Sequence, residues 1–172
     1  MQEVKAGKHV FCEKSITVNS RQLEECVAIA KEKGLVICDG MTLLHMPLYK
    51  KLKEMISEGA IGDVKMVQVN FGSCKEYDVT NHFFSKELAG EKGFIEIYDY
   101  PRAAKATITY TETGKTEVIE EGDSTKALQY EVADMQNYVW NNGGEENLAI
   151  VRDVKETLTS IRNQWGMVYP FE

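Results

Sequence analysis

Two short apolar runs flanking one amphipathic stretch constrain this chain more than any other feature. Val10-Phe11-Cys12 and Leu35-Val36-Ile37-Cys38 are continuous apolar runs of strand length, without the alternation of a half-exposed strand. Such strands are covered on both faces. Between them, Asn19 or Ser20 can cap a helix that carries Leu23, Val27 and Ala30 on one stripe, and Gly34 stands where a left-handed C-terminal cap is expected. Strand, helix, strand in this order predicts a right-handed crossover between two parallel strands. Ahead of it, residues 1–6 are too short for an element of their own and read as the tail of a helix.

The first strand ends in two opposite charges, Glu13 and Lys14. In open α/β sheets ligands gather beyond the carboxyl ends of the strands, which makes this pair a candidate site. Spacing alone favours the plainer reading, a surface ion pair worth little.

Pro47 suits the first turn of a further helix, where its missing N–H costs nothing, and Leu48, Leu52, Met55 and Ile56 supply that helix's buried stripe. Gly59 and Gly62 end it in a turn. From Val64 to Phe71 the pattern is that of a strand with Val67, Val69 and Phe71 on one face, suited to a sheet with one open face. Residues 73–92 have weak periodicity and turn-forming glycines, so a long loop is predicted there. Strands are expected again at Phe94–Ile97, Ala104–Tyr110 and Thr116–Ile119, the last two joined through Thr113 and Gly114 as a hairpin. Two helices close the chain. One carries Leu128, Val132, Met135 and Val139 on a stripe and the other Val151, Leu158, Ile161 and Trp165, with Asn141-Asn142-Gly143-Gly144 breaking between them and Gly166 capping the second. The predicted fold class is therefore mixed α/β (α+β): a parallel β-α-β unit over residues 1–45 joined to a mostly antiparallel, open-faced sheet packed on helices over residues 46–172, with the final helix free to pack back on the first part.

Composition excludes several functions. A formal charge of -7 with no basic cluster argues against a nucleic-acid surface, which needs grouped Lys and Arg to displace counterions. No apolar run approaches the roughly 20 residues of a membrane span, and no secretory signal opens the chain, so a cytoplasmic protein is expected. Cys12, Cys26, Cys38 and Cys74 show no Cys-x-x-Cys spacing and read as buried thiols, with no metal site and no disulfide framework.

The string Gly7 to Ser15, followed by the helix, the second strand and Pro47, resembles the Gfo/Idh/MocA family of NAD(P)-dependent oxidoreductases, whose corresponding strand ends in Glu-Lys-Pro. Within that family it is most similar to the dihydrodiol-dehydrogenase-like branch, and the similarity continues through Met55–Phe71, Phe94–Thr109 and Asp153–Pro170. The resemblance implies that the β-α-β unit is the remnant of a Rossmann-type nucleotide domain. It implies hydride transfer between NAD or NADP and a sugar-like, diol or carbonyl substrate in full-length relatives. It assigns Glu13 to the cofactor's ribose end and Lys14 to the cofactor and substrate, as the catalytic position. It also implies homodimerisation through the open sheet face.

Several departures bear on activity. None of the 13 glycines falls in a Gly-x-Gly-x-x-Gly arrangement, the turn that lets a backbone approach a pyrophosphate and that the family carries upstream of the segment matching Gly7. Gly90 runs directly into Glu91-Lys92-Gly93-Phe94, where family members insert an Asp-x-Gly segment and a catalytic helix. Leu43 and Leu44 stand where many relatives place a basic residue, and Ser15 replaces the motif's proline. The expectation is a member truncated at its N-terminus and internally deleted, in which Lys14 is idle, no cofactor binds and the chain alone is inactive; the alternative is a non-catalytic homodimerising module. His45 could face a substrate from the loop after the second strand, though a histidine among Leu44, Met46 and Pro47 is more often packed and hydrogen-bonded. His82, with Tyr77 and Asp78 nearby, reads as solvated loop. Tyr98, Tyr100, Trp140 and Trp165 read as core and interface packing.

Overall fold

The computed structural model describes residues 1–69 and 86–169. They divide into two compact units, one of residues 1–41 with 131–172 and one of residues 42–130. The predictions made for Phe71, Cys74, Tyr77, Asp78 and His82 lie outside the described residues.

In the first unit, α1 (Gln2–Lys5) leads into β1 (Val10–Cys12), α2 (Ser20–Glu32) and β2 (Ile37–Asp39), and β1 pairs with β2 in parallel with Val10 opposite Ile37. The opening residues form a short helical turn, anchored by Val4 at 2% exposure. Asn19 caps α2 by accepting from the Gln22 N–H, as its sequence position predicts. At the other end, Gly34 adopts φ +62°, and the bonds Leu35 N–H to Ala30 O (2.8 Å) and Gly34 N–H to Lys31 O (3.2 Å) complete a Schellman closure. That closure uses Leu35, so β2 begins two positions later than the apolar run suggests. Val4, Cys26, Ala30 and Ile37 form the core of this unit. The helix α5 (Glu145–Gln164) lies on α2, where Thr159 accepts from the Ser20 N–H at 3.1 Å and Arg152 pairs with Glu24 at 2.7 Å. Cys26 and Cys38 are buried thiols; Cys12 is only partly so.

The second unit contains α3 (Pro47–Ser57) and a five-stranded antiparallel sheet in the order β3 (Val64–Val69), β4 (Lys86–Gly90), β5 (Gly93–Tyr98), β6 (Lys105–Tyr110), β7 (Thr116–Glu120). Leu48 and Leu52 of α3 meet Ile95, Ile97, Ala106 and Ile108 of the sheet, and α3 is closed by Gly59 at φ +84°. The opposite sheet face carries Met66, Glu96, Tyr98, Thr107 and Val118, as the register of the strands dictates.

Three expectations need correction. The loop predicted through residues 86–90 is strand β4, joined to β5 by the tight Glu91-Lys92 turn. In β3 the alternation is not expressed, because every position is exposed. The stripes on the last two helices are not buried as stripes. In α4 (Ala127–Asn141), which begins in the second unit and ends in the first, Ala127 and Glu131 are buried while Leu128 and Val132 are more than half exposed. In α5, Val151 and Lys155 are buried, whereas Leu158 and Trp165 are exposed. Trp140, at 78% exposure, is no core residue either.

Candidate functional site

The two parallel strands end side by side. Beyond β2 the Gly40 N–H donates to the Cys12 carbonyl at 2.7 Å, and a Cβ at Gly40 would come within 3.3 Å of that oxygen, so the bare backbone suits this approach. β1 runs out into Glu13, Lys14 and Ser15, all exposed, with a cis peptide between Lys14 and Ser15. Just beyond them, two buried charges hold the chain. Asp39, at the end of β2, accepts from the Ile16 N–H at 3.2 Å. Lys155, from α5, donates through Nζ to Ser15 Oγ (2.7 Å) and to the Thr17 carbonyl (2.5 Å). Asp39 is 5% exposed and Lys155 4%.

The electrostatics follow from this burial. Desolvation pushes the Lys155 amine below its ordinary range, the Asp39 carboxylate works against that shift, and Arg162 adds to it. The Cys12 thiol is pushed up, by burial first and then by Asp39, so it stays protonated and inert at neutral pH. Sequence reasoning missed both Asp39 and Lys155. The signal for Lys155 was a charge four positions after Val151, in the apolar register that continues to Leu158.

Of the predicted site residues, Glu13 and Lys14 stand together after β1. His45 belongs to the second unit, where it follows a short 3-10 turn, donates its N–H to the Thr42 carbonyl (3.0 Å) and is 1% exposed, with its interactions made inside the protein.

A dinucleotide makes a further demand on this site, because its pyrophosphate needs free backbone N–H groups at a glycine turn or helix N-terminus beyond a strand. At the helix after β1, the Ser20 and Gln22 N–H groups of the first turn, and the Val18 N–H just before it, are engaged locally. Asn19 Oδ1 already accepts from the Gln22 N–H (2.9 Å), Thr159 from the Ser20 N–H (3.1 Å) and Gln22 Oε1 from the Val18 N–H (3.3 Å). The turn after β1 presents side chains in place of glycines. Among the described residues, no group of three or more His, Cys, Asp or Glu could hold a metal ion, and no helix is long and apolar enough to cross a membrane.

A parallel β-α-β unit with a charged pair at its strand end, joined to an antiparallel sheet packed on a helix, defines an α/β fold of the kind found in two-part oxidoreductases. The comparisons with known proteins agree. No protein-family model matches the chain. A dTDP-3,4-didehydro-2,6-dideoxy-alpha-D-glucose 3-reductase from Actinomadura kijaniata is 35% identical over 68 residues, 40% of this chain and 20% of that protein. A trans-1,2-dihydrobenzene-1,2-diol dehydrogenase from Xenopus laevis is 34% identical over 67 residues, 39% of this chain and 20% of the relative. In both, the match spans about a fifth of the curated protein. Among solved structures, a mutant of a 3-ketoreductase from Actinomadura kijaniata, in complex with TDP-benzene and NADP, superposes with a TM-score of 0.65 at 16% identity, covering 92% of this chain and 70% of that one. Over about two fifths of its length the chain is similar in sequence to these oxidoreductases, and over most of it similar in fold.

Proposed function

We propose that the chain carries the substrate-side part of an oxidoreductase site, centred on Glu13 and Lys14, and that it does not transfer hydride by itself. The observation that supports this is the contrast at one strand end. β1 presents an exposed ammonium and carboxylate, while the Ser20 and Gln22 amides that open the following helix are already engaged. An exposed Lys14 can hold a carbonyl or hydroxyl oxygen by a charge-assisted hydrogen bond. The relatives' names, a keto-sugar 3-reductase and a diol dehydrogenase, suggest a sugar-like, diol or carbonyl substrate. The hairpin from β4 to β5 supports inactivity independently, since Glu91 and Lys92 alone connect the strands where the resemblance places a catalytic helix.

The test is a titration of the pure chain with NADPH, followed by nucleotide fluorescence, beside an assay for carbonyl reduction. The expected outcome is no saturable binding up to millimolar nucleotide and no turnover. Saturable binding that Lys14→Ala weakens would sink the proposal.

One observation favours a second role on the same chain, homodimerisation through the open sheet face. Met66, Tyr98 and Val118 lie on that face at 54%, 40% and 53% exposure, beside a polar ladder in which Thr107 bonds Tyr98 and Glu96. Sedimentation is expected to give a dimer at micromolar concentration and a monomer for Val118→Arg; a monomeric parent chain would end this reading.

A further inference from the structure

Two helices of the first unit meet solvent in different ways. α2 turns Arg21, Glu24, Glu25, Lys31 and Glu32 outward. Over residues 131–141, α4 exposes Val132, Ala133, Gln136, Asn137, Trp140 and Asn141, and none of these carries a charge. The charged residues of α4 are Glu131, which is buried, and Asp134, which is half-buried. We propose that this uncharged face pairs with the same face of a second copy of the chain, as two antiparallel helices about a two-fold axis. The pairing shares no residue with the open sheet face and goes beyond the dimer expected there.

Charge supplies the first argument. With a formal charge of -7 on each, two copies of the chain repel one another over most of their surface. A face without charge is where that repulsion costs least, and covering it strips no ion of its water. Trp140 stands on this face at 78% exposure, with Val132 beside it at 53%. An indole that far into solvent offers a large apolar area to whatever covers it, and tryptophan is among the residue types that dominate the energetics of interfaces.

The order of side chains along the helix supplies the second, and it selects a second copy as the occupant. At helical spacing Ala133, Gln136, Asn137 and Trp140 share one side, with Val132 and Asn141 flanking it. An axis midway between positions 136 and 137 sets Trp140 against the partner's Ala133, and Gln136 against the partner's Asn137. The largest side chain then meets the smallest, so the helices can approach to about 8–10 Å. Each amide meets an amide, which both donates and accepts. Asn141 Nδ2 donates to Asn137 Oδ1 at 2.6 Å, which fixes the Asn137 side chain and leaves its own NH2 group for the partner's Gln136. An unrelated protein would have to match this sequence of sizes and amides by its own design, whereas a second copy matches it by symmetry. Three turns of one helix bury less than a standard interface, so half-association is expected at ~100 micromolar.

The experiment is sedimentation equilibrium of the full chain carrying Val118→Arg, which takes the sheet face out of the measurement. The expected mass rises from one chain to two around ~100 micromolar, and Trp140→Arg or Ala133→Glu weakens the association at least ~10-fold. Both positions are exposed, so far-ultraviolet circular dichroism is expected to stay that of the parent. With Trp165→Phe added, tryptophan emission reports Trp140 and should move to the blue over the same range of concentration. A mass of one chain up to millimolar protein would overturn the proposal. So would association that Trp140→Arg leaves unchanged, or a doubled mass with no shift in Trp140 emission, since either puts the second copy on another face. A parent chain that is monomeric at micromolar concentration counts against the sheet-face dimer alone, and the α4 transition is read separately from it.

Discussion

Lys155 carries a charge into an interior otherwise built from Val4, Cys26, Ala30 and Ile37, and it is retained there by the work it does for the segment after Lys14. Lys155→Met is expected to destabilise the chain by about 3 kcal/mol in urea unfolding, because Asp39 loses the positive charge facing it and the Thr17 carbonyl loses its donor. The pH dependence has a definite sign. The folded pKa of Lys155 lies below the unfolded one, so between them the unfolded chain binds more protons and stability rises with pH. Tyr138 acts in the opposite sense: burial first, then the Asp134 charge, raise its hydroxyl to about 12. From the unfolded value of about 10 up to that point the folded chain holds the extra proton, and stability falls as pH climbs. Against the parent, the change in urea midpoint from about pH 9 to about pH 11 should move downward in Lys155→Met, which loses the rising contribution, and upward in Tyr138→Phe, which loses the falling one. Glu13 and Lys14 were legible because charges stand out at the end of an apolar run. Asp39 and Lys155 were not, because nothing local distinguishes a charge that turns inward from one that turns to water.

At the scale of elements, two glycines decide the second unit. A Cβ on Gly90 would collide with the Ile61 carbonyl oxygen, and one on Gly93 would stand 2.5 Å from the Thr109 carbonyl oxygen. Neither adopts a positive φ, so the requirement is closeness of backbone to backbone. Gly93→Ala should cost about 1–3 kcal/mol through displaced strands. Gly59→Ala, with φ +84° and nothing near the added carbon, should cost about 1 kcal/mol from backbone strain alone. Thermal unfolding of the two variants separates the mechanisms, since only Gly93→Ala should also disturb the β5–β6 amides in hydrogen exchange. The same glycines explain why β4 was missed: in sequence they look like turn punctuation, and their reason for being there is a neighbouring carbonyl that is invisible until the sheet is assembled. The helices were easier. Asn19, Pro47, Gly34 and Gly166 are local signals, each acting within one turn of its own position. What periodicity could not give was which face of α4 and α5 is covered, since Leu128, Val132 and Leu158 keep the spacing of a buried stripe and stay exposed.

For the whole molecule, the division into units follows the fold and not the order of the chain. Residues 42–130 are contiguous, while the first unit is made of the two ends, 1–41 and 131–172. A chain cut after Asn142 is expected to keep protected amides in β5 and β6 and to lose them in α2 and β2, which normally have α5 as a neighbour. Equal protection in both regions after the cut would contradict that. The arrangement also sets a schedule for synthesis. As the chain leaves the ribosome, the antiparallel sheet has all its strands before α5 exists, whereas α2 and β2 meet α5, their neighbour in the first unit, only after residues 145–164 are made. Until then the surfaces of α2 and β2 that α5 covers stay open to a holding chaperone.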